Sequence, residues 1–528
     1  MEAHDRLLQA LTDASLYAHP TGEITLLQTH ISSVVLTGPY AYKIKKPVNL
    51  GFVDFSTLAR RHFFCQEELR LNRRLAPQLY LEIVALYGTP ERPRFRDAGA
   101  PPIEYAVKMA QFAQDTLLSH CIEAGQLQAA HIDHLAQEVS AFHARIAVAA
   151  PGSRFGTPEM LYQPVQENFQ HLLGAVADPV RQAHVRELEA WCQRTFAAHR
   201  AAFVARKQDG YVRECHGDMH LGNMILLDDQ VVIFDCIEFN DNFRWIDVAS
   251  EVAFVTMDLE DRGRPDLAHR FVNGYLEATG DYGLLVPLPF YLTYRAMVRA
   301  KVARIRLAQG DLSPQEAEHT RQAFRSYLDL AARYTRPSRP RLLITHGLSG
   351  SGKTFATQAL VDATGAIRLR SDVERKRLAG LAPLERSSSR SALDLYAPDV
   401  TQRTYAHLAR QAARVIQAGY TAIVDATFLK RAQRDAFRRL ADGLGVPCTI
   451  LVFRAQAETL RRRVARRSAQ ARDASEADLA VLHGQFAALE PLTAAEQTAA
   501  LTIDTEAPQA AQYLLDAVRA MAEERERS

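Results

Sequence analysis

The chain has 528 residues, 47% hydrophobic and 23% charged, with a formal net charge of +2. That length exceeds what one hydrophobic core fills, so two or three domains are expected in a globular chain. The near-neutral balance removes the basic excess that would by itself argue for nucleic acid, so partners must be read from sites.

The N-terminus, MEAHDRLLQALTD, mixes acids into a broken apolar pattern and does not read as a secretory signal. The longest apolar run, GLLVPLPFYL from Gly283, is too short to span a bilayer and holds two prolines. Cys65, Cys121, Cys192, Cys215, Cys236 and Cys448 form no CxxC pair, which suits a reducing compartment. A cytoplasmic location without a membrane partner is therefore expected.

Strand-like runs open the chain, SSVVL (32–36), YAYKIKK (40–46) and IEYAVKM (103–109), around a helical EELRLNRRL (67–75). After residue 115 the pattern turns helical. HIDHLAQEVSAFHARI places Ile132, Leu135, Val139, Phe142 and Ile146 at helical spacing, a core stripe in which His143 reads as structural. A strand-rich lobe over about 20–112 and a helical lobe over about 113–335 are expected to form one domain, 1–335.

Within the helical region, NMILL (223–227) and VVIFD (231–235) flank a turn at Asp228 and Asp229 and predict a hairpin. It brings Asn223 and Asp235 together, with Asp218 projecting from the preceding loop. Phosphoryl transfer needs such a set: one carboxylate to accept a hydroxyl proton, and an amide and a second carboxylate to hold magnesium on nucleotide phosphates. His216 and His220 also admit a zinc reading, weakened because no second cluster of ligands lies nearby.

At HGDMHLGN (216–223) and FDCIEF (234–239) the sequence resembles the aminoglycoside phosphotransferase and choline kinase group of the protein-kinase-like fold. The resemblance implies a bilobal α+β domain in which Asp218 is the catalytic base, His216 braces the loop, and Asn223 and Asp235 bind Mg2+. It also implies a strand lysine on the ATP phosphates and a helix glutamate that orients it. AYKIKK offers Lys43, preferred, and Lys45, which alternate onto one face; Glu68 is the preferred glutamate and Glu67 the alternative. The segment LQTHISSVVL has no glycine, so amides near Ser32 and Ser33 would have to grip phosphate, a departure from the protein-kinase pattern. The acidic run MDLEDRGRPD, with Asp258, Glu260, Asp261 and Asp266, reads either as a solvated loop or as an attractor of a cationic acceptor.

SPQE (313–316) is a capping box, with Ser313 as N-cap and Glu316 closing it, before a helix whose apolar face holds Phe324, Tyr327, Leu328 and Ala331. RYTRPSRPR (333–341), with two prolines and four arginines, then marks the domain boundary, and 336–528 is the second domain.

RLLITHGLSGSGKTFATQAL runs from an apolar strand through a glycine loop into a helix, and Gly347, Gly352, Lys353 and Thr354 fit GxxxxGK[ST]. Gly347, Gly350 and Gly352 let backbone amides approach the ATP phosphates, Lys353 reaches the terminal phosphates and Thr354 takes magnesium. TAIVDAT (421–427), PCTILVF (447–453) and ALTID (500–504) alternate with helical segments and predict an α/β domain with a parallel sheet flanked by helices. Asp425, at a strand end, is expected to position the metal.

This half is similar to small P-loop kinases of the polynucleotide kinase and gluconate kinase type, grouped with AAA-like ATPases, over roughly 341–525. The resemblance makes Asp372 the acceptor-activating carboxylate and Arg375 a phosphate contact. The run LRRRVARRSAQARDASEAD, with arginines at 461, 462, 463, 466, 467 and 472, suits a lid whose Arg463 and Arg467 close on the phosphate.

The whole reads as a bifunctional ATP-dependent enzyme: a phosphotransferase of a small-molecule hydroxyl joined to a P-loop kinase or ATPase. Nucleic acid is a less favoured partner, and nothing in the sequence signals oligomeric state. Two alternatives stand beside it: a P-loop half that phosphorylates polynucleotide 5′-hydroxyls, or an N-terminal half that only binds nucleotide in a regulatory role.

Overall fold

The computed structural model describes residues 2–523 apart from 52, 97–98, 177, 310–311, 387–394, 471–472 and 499, so Arg472 lies outside the described residues. The chain separates into two compact units. Met1–His134, Ala141–Asp258 and Phe290–Leu328 form the first; Leu135–Ser140, Leu259–Pro289 and Asp329–Ser528 form the second.

The first unit has a kinase-like fold. Its sheet has six antiparallel strands, β1 (Thr25–Gln28), β2 (Ser32–Leu36), β3 (Tyr40–Lys45), β4 (Tyr80–Thr89), β5 (Arg92–Arg94) and β6 (Glu104–Ala110), in the order β1-β2-β3-β6-β4-β5. Val35, Tyr42, Ile44, Leu86 and Ala106 pack one apolar cluster, while Ala41, Val107 and Met109 join another with Cys65 and Tyr80. Apolar residues on both faces bury the central strands, with the helix Leu58–Asn72 laid against β4 and β6. Thr57 caps that helix by accepting the Arg60 amide hydrogen.

The remainder of this unit is mostly helical. Ile132, Phe142 and Ile146 of the predicted core stripe are buried here, as are Leu135 and Val139, which fall in the second unit. The aromatic rings of Phe196, Phe203, Phe290 and Tyr291 pack at centroid distances of 5.2–5.9 Å. Two two-stranded ribbons shape the loops above them: β7 (Val212–Glu214) pairs with β10 (Trp245–Asp247), and β8 (Met224–Leu227) with β9 (Gln230–Ile233). The β8–β9 hairpin turns on Asp228 and Asp229 at φ 50° and 62°, the left-handed pair that matches strand twist.

The second unit has a parallel five-stranded sheet, β11 (Leu342–His346), β12 (Ile367–Arg370), β13 (Ala422–Asp425), β14 (Cys448–Arg454) and β15 (Ala500–Asp504), in the order β12-β13-β11-β14-β15. β11, β13 and β14 are near-continuous apolar runs because helices cover both faces. Leu343, Ile423, Leu451 and Phe453 meet Leu360 and Val361 of the helix Lys353–Thr364 and Leu514 of the helix Ala510–Glu523.

The helix Pro265–Thr279 also packs on Lys353–Thr364. Arg270 pairs with Asp362 at 3.1 Å, Asn273 Oδ1 accepts the Arg368 amide hydrogen at 2.8 Å, and Glu277 pairs with Arg370 at 2.8 Å. Just beyond it, Tyr282 donates to Glu374 at 2.9 Å. Among the described residues no helix is long and apolar enough to cross a membrane, and all six cysteines are free thiols.

Two candidate phosphate sites

In the first unit, β7 ends at Glu214 and the chain turns into the loop that carries His216, Gly217 and Asp218. Gly217 lies at φ 91°, and a Cβ there would sit 2.7 Å from the Phe243 carbonyl oxygen, so only glycine fits. His216 is fully buried; its Nε2 donates to Phe234 O at 2.8 Å and its Nδ1 accepts the Asp218 amide hydrogen at 3.3 Å. Burial lowers its pKa, and the neutral ring is the form that can accept at Nδ1. Beneath the loop, buried Glu251 accepts from the amides of Gly217 at 2.7 Å and His216 at 3.2 Å, and from His143 Nε2 at 2.9 Å.

Asn223 Nδ2 donates to Asp218 at its carbonyl, 2.9 Å, and at Oδ2, 3.1 Å. His220 accepts the Gly222 amide hydrogen at Nδ1, which leaves Nε2 as its donor, 3.4 Å from Asp218 Oδ2. Burial opposes ionisation of Asp218, but His220, Arg299 and His216 outweigh it and hold the carboxyl well below its ordinary range. Asp235 follows β9 at φ 62° and bonds Lys43 Nζ. Lys43 and Lys45 each pair with Glu68 at 2.7 Å, and Lys45 also bonds Glu238. Burial disfavours both ammonium groups, yet the facing carboxylates raise their pKa values.

Lys43, Asp218 and Asp235 line a cavity of about 1120 Å3. Glu68, His216 and Asn223 do not line it; Glu68 pairs with Lys43, and His216 and Asn223 bond Asp218. Lys45 is wholly buried away from it, and Glu67 pairs with Arg70 at 2.7 Å instead of with either lysine. The Ser32 amide is committed to Thr29 Oγ1 at 3.0 Å, whereas the Ser32 hydroxyl lines the cavity and, buried, has no partner.

Asp258 is no surface attractor: it is buried and accepts the Leu221 amide hydrogen at 2.8 Å. Glu260 bonds the Tyr334 hydroxyl at 2.7 Å and Asp266 pairs with Arg264 at 2.7 Å; none of MDLEDRGRPD lines the cavity. Among the described residues the one set of three metal-capable side chains drawn together is His143, Cys215 and Glu251. Both Glu251 oxygens there already accept hydrogen bonds.

In the second unit the loop between β11 and Lys353–Thr364 curls back on itself. Gly350 lies at φ 81°, where a Cβ would be 2.9 Å from the Leu460 carbonyl oxygen. Lys353 Nζ donates to the carbonyls of Gly347 at 2.9 Å and Leu348 at 2.8 Å. Burial pulls its pKa down to about 8 although Asp425 and Asp372 oppose the shift. Thr354 Oγ1 donates to Asp425 Oδ2 at 2.7 Å, at the end of β13.

Lys353, Thr354, Asp372, Arg375 and Asp425 line a cavity of about 1540 Å3, together with Gly350, Gly352, Arg463 and Arg467; Gly347 does not face it. Arg375 pairs with Asp372 at 2.9 Å and lies over the Tyr396 ring. Arg463 donates to Thr505 Oγ1 at 3.0 Å and Arg467 to Ala477 O at 2.9 Å. Arg368, buried, donates to the Thr354 carbonyl at 2.9 Å and so fixes the first turn of the phosphate helix. Arg370 reaches Glu277 on one side and Asp473 on the other.

Residues 64–288 match the model of the phosphotransferase enzyme family, and 342–492 match that of an AAA domain. Uncharacterized proteins of Mycobacterium tuberculosis and Mycobacterium bovis are 29% identical over 436 residues, 81% of this chain and 84% of theirs. Of solved structures, a choline/ethanolamine kinase family protein from Mesorhizobium loti aligns with 63% of this chain and 100% of its own, at 13% identity and a TM-score of 0.36. A gluconokinase from Sinorhizobium meliloti aligns with 35% of this chain and 96% of its own, at 20% identity and a TM-score of 0.26.

Proposed function

We propose that this ATP-dependent kinase, which joins a phosphotransferase-family domain to an AAA-type P-loop domain, transfers the γ-phosphoryl group of ATP to a small-molecule hydroxyl at its first site and binds ATP for a second phosphoryl transfer at its P-loop. The observation that carries the reading is the convergence of Lys43, Asp218 and Asp235 on one cavity.

In the first site, Asp218 takes the acceptor's hydroxyl proton. Its low pKa keeps it ionised and ready at neutral pH, and Asn223 and His220 fix its orientation. Lys43, held by Glu68, meets the nucleotide phosphates as a charge. Asn223 and Asp235 would hold magnesium here, and Thr354 with Asp425 at the P-loop; both are all-oxygen donor sets of the kind this hard cation takes. When bound, the ion neutralises phosphate charge.

In the second site Lys353 is the phosphate lysine, Asp372 the acceptor-activating carboxylate, and Arg375, Arg463 and Arg467 the groups that gather phosphate charge. Arg463 and Arg467 turn inward to the cavity, which favours a lid over a nucleic-acid-binding face.

The test is acceptor-dependent ADP release by full-length Asp218→Asn and Lys353→Ala proteins. Each is expected to silence one site, a loss of about 10²–10⁴-fold for the base. Full turnover at the first site in Asp218→Asn would remove the reading.

A further inference from the structure

Besides the Ser32 hydroxyl and Asn242 Oδ1, two side chains on the first cavity's wall carry buried polar atoms without a hydrogen-bond partner. Asn168, on the helix Pro158–Ala175, is 2% exposed, and neither its amide oxygen nor its amide nitrogen makes a hydrogen bond. Tyr291, on the helix Leu288–Ala308, is 3% exposed, and its hydroxyl is likewise unpaired. Both line the cavity that holds Asp218. Leaving such buried groups unsatisfied is costly, so a wall that carries them is built for a ligand that supplies the missing hydrogen bonds.

The chemistry of that ligand follows from what the wall offers. An amide that both donates and accepts, beside a phenol that does the same, matches hydroxyl groups, which also do both. Phe155 and Trp245 stack at 5.4 Å and 12° on the same cavity, a flat apolar surface for the C–H face of a ring.

The charges exclude the obvious rival, an ammonium-bearing acceptor. Five carboxylates line the cavity: Glu167, Asp218, Asp235, Glu238 and Asp247. Asp235 bonds Lys43, Glu238 bonds Lys45, and Asp247 is gripped by Arg206 at 2.7 and 2.8 Å. Asp218 is the proposed base, and Glu167 is an exposed residue that accepts from Gln163 at 2.8 Å. The helix Leu288–Ala308 adds Arg295, Lys301 and Arg306 to the lining, three cations against the two carboxylates, Asp218 and Glu167, that no lysine or arginine bonds, so this part of the wall disfavours a cation.

We infer that the acceptor of the first site is a polyhydroxylated ring without a cationic amine, of the sugar or nucleoside class, read by Asn168 and Tyr291. The inference rests on the phosphotransfer reading of Asp218. In the step, the acceptor O–H bond breaks and its proton passes to Asp218, while the acceptor oxygen bonds Pγ as the bond from Pγ to the ADP oxygen breaks.

The test uses full-length protein carrying Lys353→Ala, so that acceptor-dependent ADP release reports the first site. The probes are neutral sugars and nucleosides, each paired with its amino-deoxy counterpart, together with choline and ethanolamine. Neutral members are expected to be preferred by about tenfold or more in kcat/KM. Asn168→Ala and Tyr291→Phe should raise the acceptor KM about tenfold and leave the KM for ATP unchanged. Asn168→Asp keeps the side-chain shape, so it serves even if the alanine variant misfolds, and its added charge should shift preference toward the amine partner.

Preference of the parent protein for amines, or an effect of Asn168→Ala on the KM for ATP alone, overturns the inference. So does an unchanged preference in folded Asn168→Asp. If turnover favours amines yet still needs Asp218, only the acceptor class fails; if turnover survives Asp218→Asn, the phosphotransfer reading fails; if no probe is turned over, both fail.

Discussion

Glu251 accepts the amide hydrogen of Gly217 at 2.7 Å, so a buried helix carboxylate sets the height of the loop that presents Asp218. The same carboxylate accepts from His143, which keeps it charged against the cost of burial. Glu251→Gln turns one acceptor into an NH2 group facing amide donors. The expected result is a fall in kcat of about 10–100-fold with an unchanged KM for ATP, read by acceptor-dependent ADP release.

The same group carries a pH signature. Its pKa is lowered in the folded state, so its contribution is fully present above the unfolded carboxyl value and is lost as pH falls through the folded one. Melting temperature measured downward from pH 6 should therefore drop less steeply in Glu251→Gln than in the parent.

Lys43 and Lys45 share Glu68 but should fail differently. Lys43→Met is expected to abolish phosphoryl transfer at the first site while the unit stays folded. Lys45→Met leaves Glu68 and Glu238 buried without the ammonium between them, a loss of about 3–5 kcal/mol. Thermal unfolding separates the two; an unaltered melting profile in Lys45→Met would contradict the assignment.

At the P-loop, Lys353 is pulled down to about 8 before nucleotide arrives, and triphosphate will raise it again. The nucleotide-bound form thus holds more protons than the free form, and ATP binding should weaken as pH rises through about 8. Calorimetry at that pH in buffers of different ionisation enthalpy should register proton uptake, which Lys353→Ala removes.

Glu277 lies outside the matched AAA segment yet pairs with Arg370 on the edge strand of the P-loop sheet. Glu277→Ala leaves that half-buried arginine with Asp473 as its remaining carboxylate partner and should destabilise the second unit by about 1 kcal/mol. A fragment beginning at residue 336 loses Glu277, Asn273 and Tyr282 together and should be less stable than one that includes 259–289. Equal denaturation midpoints for the two fragments would count against the packing described.

Much of this was legible because local signals and tertiary needs coincide. The Asp228–Asp229 hairpin and the strand–glycine–helix run at Gly347 each carry their own turn chemistry, and the Ser313–Glu316 box closes at 2.8 Å. β4, the longest strand of the first sheet, escaped because YLEIVALYGT lacks clean alternation and has an irregular register between Tyr80 and Glu82. β12 escaped because Arg368 and Arg370 look solvent-directed until Glu277 and Asn273 arrive from ninety-odd residues upstream. Glu251 had a signal that went unread: a lone acid in the apolar run VASEVAFV. Asp258 misled because its neighbours are acidic, although it faces inward.

The interleaving of the two units constrains how the chain is made. The segment Leu259–Pro289 leaves the ribosome well before the strands it packs with, whereas the first unit still awaits Phe290–Leu328. For a stretch of synthesis the helix Pro265–Thr279, although it already meets Ala136, must therefore leave uncovered the face that packs on the helix Lys353–Thr364 and the strand β12. Nascent chains halted shortly after Leu328 should expose that face to chaperones, and those released after β15 has emerged should not.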